Sequence, residues 1–323
     1  MSLYNKIKKG IRSSPPANYI VRKSKQTFLP GFRGIPLFDV VKFFIGQVRT
    51  VGMTERASAI AFNFVMAIPP AIIFLFTLLP YLPISLQFEQ QLYGLIRDVV
   101  PGEKDNSVLI KFLEDFINNP RNELLSLGFI LSVFFSSNGV MSIMRSFDRN
   151  YHGFRKRNEF QKRWMAIKIT MILFVIVIVS ILLLVAQGVV LKQWLGIKVL
   201  WIRTIIVNAR WLVIILLVLS SISYIYRHAP AVHKKWRLIT PGSILASFLM
   251  LLFTFLFSWW VSHFGNYNQL YGSIGTVLIL MLLIYFNSLV LLIGFELNVS
   301  ISSLKRIADE RKDTPADGND IPK

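Results

Sequence analysis

"LITPGSILASFLMLLFTFLFSWWVSHFGNYNQLYGSIGTVLILMLLIYFNSLVLLIGF" occupies Leu238–Phe295, 58 residues without an Asp, Glu, Lys or Arg. About 20 apolar residues cross the hydrocarbon core of a bilayer, so this run holds two crossings. "HFGNYNQLYG" (His263–Gly272) supplies the polar turn between them. Pro241 falls in the first helical turn, where proline is tolerated.

Outward from this run the pattern repeats. Ala57–Phe88, Leu124–Met144 and Ile169–Leu191 are also free of charge. Trp211–Tyr226 is shorter but extends back to Ile205 across Arg210 alone. Six spans are expected at about 58–82, 124–144, 165–190, 205–226, 239–261 and 272–295. The 323 residues are 54% hydrophobic and 16% charged, whereas a soluble domain carries about a quarter charged residues. The expected fold class is therefore an all-α integral membrane protein.

The net charge of +19 invites a nucleic-acid reading, but its distribution points elsewhere. Eleven Lys/Arg fall in residues 1–56, eight in 145–168, four in 227–237 and five in the C-terminal tail, 28 of the 36 on one side of a six-span fold. That asymmetry is the positive-inside pattern and puts both termini in the cytoplasm. The charge is then a topology signal, and no nucleic-acid partner is expected. The chain has no cysteine, which excludes disulfides and thiol chemistry. No apolar segment precedes Phe43, so the first span is expected to serve as its own insertion signal.

Residues 1–35 and 305–323 are polar and expected to lack fixed structure. Between them, Leu37, Val41, Phe44, Ile45, Val48 and Gly52 recur at helical spacing, predicting an amphipathic helix on the membrane surface. Two apolar stripes in residues 89–123 predict a short-helix cap over the first external loop. The basic segment after the second span offers Arg145, Arg149, Arg155, Lys156 and Arg157 as contacts for anionic lipid headgroups.

Several residues inside the spans break membrane rules. Pro69 and Pro70 withdraw two backbone N–H groups from the first span, and Asn63 lies seven residues before Pro70 on the same face. Freed backbone groups in lipid need protein or water partners, so a broken helix facing the bundle interior is expected. Such breaks line transport paths in some membrane proteins and are plain kinks in others. Ser137 and Asn138 on the second span, with Asn287 and Glu296 on the sixth, are further candidates for a path. Glu296 also suits an ion pair with an inner-loop base such as Arg145.

Four segments, "AIAFNFVMAIPPAIIFLFTLLP", "SSNGVMSIMRSFDRNYH", "P…WR…PGS" and "YGSIGTVLILMLLIYFNSLVLLIGFELN", occur in order over residues 37–303. Together they resemble the BrkB/YihY-like family of bacterial inner-membrane proteins. Where that family usually shows Tyr residues and one Pro in the first motif, this chain has Phe62, Asn63, Phe64 and a double Pro. The resemblance implies six spans in the cytoplasmic membrane, links to virulence or serum resistance, and a suggested role in moving envelope lipids.

An old label for the family is ribonuclease BN. A metal-dependent nuclease needs clustered His and carboxylates. The four histidines, His152, His228, His233 and His263, are spread over three loops with no such motif. No G-x-x-x-x-G-K-[ST] loop occurs, so neither ATP nor another cofactor is expected. The leading expectation is a transporter or flippase-like protein for an envelope lipid or other anionic amphiphile, with membrane lipids as partners. A non-transporting scaffold that binds an envelope-assembly protein is the alternative, and a ribonuclease or other membrane enzyme comes third.

Overall fold

The computed structural model describes residues 15–32, 34–50, 52–78, 111, 114–115, 122–148, 157–189, 200–232, 235–264 and 273–313. Among the described residues, six helices are long and apolar enough to cross a membrane. They are Met53–Leu78, Asn122–Phe147, Glu159–Val189, Leu200–His228, Pro241–Phe264 and Ser273–Asp313, the first to sixth spans below. Two shorter helices, Pro15–Gln26 and Leu37–Thr50, precede them. The main packing pairs each span with its sequence neighbours, and the sixth closes on the first.

The core gathers at the end of the bundle that carries both termini. Phe147 of the second span stacks on Phe295 of the sixth, with ring centroids 3.7 Å apart and planes 9° from parallel. Tyr226 and Trp236 pack around this pair, and Ile143, Met144, Ile222 and Leu292 are buried beside it. Elsewhere the spans turn apolar side chains outward, as a lipid-facing surface requires.

Polar clasps fix the same end. Thr240 caps the fifth span: Ser243 N–H donates to Thr240 Oγ1 at 3.1 Å, and Thr240 N–H donates to Ser243 Oγ at 2.9 Å. Asn298 of the sixth span completes the cap, accepting from Gly242 N–H at 2.9 Å and donating to Thr240 Oγ1 at 2.9 Å. One of the four amides left open at a helix start is thereby satisfied from a different helix. The two backbones touch at Gly242 and Gly294, where a side chain on either residue would collide with the other's carbonyl. Tyr226 reaches across from the fourth span and donates to the Leu291 carbonyl at 2.6 Å.

The spans extend further toward this end than the uncharged intervals suggest. The first begins at Met53, the second ends at Phe147 and the third begins at Glu159. Charged residues read as span ends lie inside helices because they find partners there, Arg56 with Glu296 and Arg163 with Asn138. The sixth helix runs on to Asp313, nine residues into the tail expected to lack structure. Ion pairs at i,i+4 spacing, Lys305–Asp309 at 2.9 Å and Arg306–Glu310 at 3.2 Å, support that extension. Pro15–Gln26, expected to be unstructured, is also helical, with proline at its first turn.

The helix Leu37–Thr50 packs one of its faces on the sixth helix. Val40 is fully buried and, with Leu37 and Phe44, packs against Leu297, Ile301 and Leu304 of the sixth helix. Val41 and Ile45 lie exposed. Gly52 is not part of the stripe: it sits in the two-residue turn to the first span with φ +59°, a conformation that favours glycine. The cap predicted over residues 89–123 lies almost wholly outside the described residues.

Candidate functional site

The first span corrects the expected break. It is helical from Met53 to Leu78, straight through Pro69 and Pro70, and Pro69 is exposed on the outer surface of the bundle. A proline costs its helix one hydrogen bond and a local adjustment, and a helix braced by a neighbour absorbs both. That neighbour is the second span, whose Gly128 packs against the Phe74 backbone just beyond the prolines. Phe74 also meets Phe129 at 5.3 Å between centroids.

Between these two spans, at the termini end, lies a polar groove of about 540 Å³. Gly52, Glu55, Arg56, Ala59 and Asn63 form one wall; Ser142, Arg145 and Ser146 form the other. Residues 55, 56, 59 and 63 share one helical face, which is why they line a single wall, and Gly52 is the turn residue just before that helix. Gly52, Glu55, Ala59 and Arg145 are exposed and mark its mouth. At the helical rise per residue the groove runs about 16 Å from Gly52, just before the helix, to Asn63, roughly half the hydrocarbon thickness.

Arg56 is the hinge of the site. Its Nη1 donates to Glu296 Oε1 at 3.1 Å, and its Nη2 donates to the Ser146 carbonyl. Its side chain is 13% exposed, while Glu296 is 0% exposed. Its Nε is buried and carries no hydrogen bond. Asn63 donates to Ser142 Oγ and to the Ala59 carbonyl, both at 2.8 Å, and so joins the two walls.

The structure separates the other expected residues. Glu296 pairs with Arg56, not with Arg145; Arg145 stands at the groove mouth and meets Glu159 at 3.4 Å. Asn138 turns away from Asn63 and accepts from Arg163 of the third span, whose guanidinium also lies 4.2 Å from the Phe134 ring centroid. Ser137 bonds back to the Phe134 carbonyl at 2.7 Å. Asn287 faces Thr254 of the fifth span at 3.5 Å, and its Oδ1 is buried without a partner. Pro69, Pro70, Ser137, Asn138 and Asn287 do not line the groove.

Of the headgroup candidates, Arg149, Arg155 and Lys156 lie outside the described residues. Arg157 is half-buried and donates to the Ala229 and Pro230 carbonyls at 2.8 and 3.3 Å, capping the end of the fourth span. Asp148 Oδ1 accepts from Ala231 N–H at 3.2 Å in the same loop. Burial pushes the Asp148 carboxyl above its ordinary range, opposed by the Ala231 N–H and Arg157. Burial likewise lowers Arg157, and Asp148 opposes that shift. This pair ties two loops together and is separate from the groove.

Arg56, Ser142 and Ser146 were not singled out from the sequence. Arg56 lies seven residues before Asn63, on the same helical face, which is the signal that finds it.

The sequence profile described as virulence factor BrkB matches residues 44–320. The chain belongs to that family. Two relatives of this BrkB-family chain match it over most of their own length. A ribonuclease-like protein, YfkH, of Bacillus subtilis strain 168 is 29% identical over 79% of this chain and 92% of its own. A UPF0761 membrane protein of Tolumonas auensis is 24% identical over 80% of this chain and 84% of its own. No solved structure matches. With six membrane-length helices and these relatives, the BrkB-family chain is a multi-pass membrane protein.

Proposed function

We propose that this BrkB-family protein moves an envelope lipid, an amphiphile whose headgroup carries an anionic phosphate, across the membrane by way of the groove between its first two spans. The observation that carries this reading is the groove itself. It presents Arg56, Arg145, Asn63 and Ser142 on helices whose adjoining surface is apolar. Phe62, 58% exposed, and Met66, 48% exposed, continue outward from it along the first span. A headgroup in the groove therefore keeps its chains against a lipid-facing surface. The depth of about 16 Å brings the polar lining toward the bilayer middle, where an unaided headgroup pays most for desolvation.

The lining suits holding an anion better than cleaving one. Its side chains are mainly donors, and no pair of histidines or carboxylates lines it. The ribonuclease-like name of the Bacillus relative therefore does not enter our reading of this chain.

The test is a lipid-movement assay in vesicles carrying the purified protein and a trace of fluorescent phospholipid. Wild type should speed exchange between leaflets, and Asn63→Ala and Arg145→Gln should slow it by about tenfold each, the cost of one charge-assisted or buried hydrogen bond. Exchange no faster than in protein-free vesicles would sink the proposal.

A further inference from the structure

We propose that the groove takes a zwitterionic lipid headgroup, a phosphate followed by a primary ammonium, rather than a purely anionic one. The inference rests on the transport reading of the groove and names its substrate class.

The lining has a chemical order along the first span. Glu55 comes first, at the exposed mouth, its carboxylate folded beside Gly52 at the start of the helix. Arg56 follows, level with Ser146 and Arg145 on the antiparallel second span. Asn63 and Ser142 lie about two turns deeper. Beyond them the surface is apolar, through Phe62, Met66 and Ile73. A phospholipid with an amine-bearing headgroup has the same order from tip to tail: ammonium, phosphate, glycerol esters, acyl chains. Laid along the first span it puts its ammonium at Glu55 and its phosphate between Arg56 and Arg145. The ester oxygens then fall near Asn63.

Two observations single out the charged groups. Arg56 lines the groove at 13% exposure, and among the described residues two of its five guanidinium donors are bonded, to Glu296 and to the Ser146 carbonyl, so a phosphate oxygen at the groove can accept from those left over. Glu55 has no ion-pair partner among the described residues, although two arginines share its pocket. A headgroup of net negative charge would meet that carboxylate with repulsion. A primary ammonium meets it with up to three N–H donors. The groove volume of about 540 Å³ lies within the range of about 300–1,000 Å³ usual for small-ligand pockets.

The deciding experiment is native mass spectrometry of the full-length protein from an equimolar mixture of phosphatidylethanolamine, phosphatidylcholine and phosphatidylglycerol. Wild type should retain phosphatidylethanolamine over the other two by up to about fivefold, the scale of a solvent-exposed ion pair. Glu55→Gln should erase that preference by lowering retention of phosphatidylethanolamine towards that of the other two, and Glu55→Lys should reverse it toward phosphatidylglycerol. Arg145→Gln should lower retention of all three, because phosphate is common to them. A wild-type preference for phosphatidylglycerol, or an unchanged preference in Glu55→Gln, overturns the zwitterion assignment even if lipid still moves in the vesicle assay. Loss of lipid movement and of all specific retention overturns the transport reading itself.

Discussion

Gly242 and Gly294 hold the fifth and sixth spans in backbone contact. A Cβ on Gly294 would stand 2.5 Å from the Gly242 carbonyl oxygen and 2.6 Å from both the Ala246 Cβ and the Tyr226 hydroxyl. Nothing flexible lies on the Gly242 side of that contact. Gly294→Ala should cost about 1–3 kcal/mol or more by overpacking, read as a lowered thermal midpoint in detergent. Gly46→Ala, where a Cβ meets nothing within 4 Å, is the matched control and should be neutral or slightly stabilising. Equal midpoints for the two variants would contradict the contact.

The Arg56–Glu296 pair predicts a non-additive result. Removing either partner leaves a buried charge alone, which costs about 3–5 kcal/mol. Glu296→Met and Arg56→Met should each lower stability strongly. The double variant Arg56→Met with Glu296→Met should be more stable than either single one. Additive losses in this cycle would show that the two side chains act independently.

Asn298 is predicted to matter through the start of a different helix. Asn298→Leu leaves the Gly242 N–H without its acceptor, removes one of the two donors to Thr240 Oγ1, and should cost about 1–3 kcal/mol. Asn298→Asp keeps an acceptor for Gly242 N–H and should lose less. Hydrogen exchange at Gly242 reads the same contact directly and should quicken in the leucine variant.

Asp148 predicts a pH dependence outside the spans. Its folded carboxyl is raised above the ordinary value of 3.8, chiefly by burial. A raised acid contributes stability that is fully present below 3.8 and lost as pH rises through the folded value. Wild type should therefore gain on Asp148→Asn as pH falls from neutral towards 3.8, and the difference should level off below that. A difference that stays flat, or shrinks on acidification, would mean the burial described here does not govern this carboxyl.

The fold was largely legible because uncharged length is the dominant signal in lipid. Leu238–Phe295 alone yields two crossings, and the fifth and sixth spans lie on them. Span ends were less legible. A charge at the edge of an apolar interval reads as a boundary, and only the three-dimensional partner reveals that Arg56 or Arg163 lies within a helix. The site was half legible. Asn63 and Arg145 stood out as polar and basic residues and both line the groove. Asn138, two turns from Arg145, faces the third span instead, because helical position fixes a face but not which neighbour covers it. The paired prolines misled most: their sequence marks a lost hydrogen bond, whereas the helix stays whole where the second span braces it.

The closing of the sixth span on the first has a consequence for how the chain is made. Synthesis delivers Arg56 first and Glu296 some 240 positions later. Until the last helix enters the bilayer, Arg56 lacks its counterion and the Gly242 amide lacks Asn298. The early spans must therefore wait in a looser, wetter arrangement, with Arg56 held by interfacial water or by lipid phosphate. A ribosome-bound chain that stops before Ser273 would carry five spans and neither Glu296 nor Asn298 to finish the clasp.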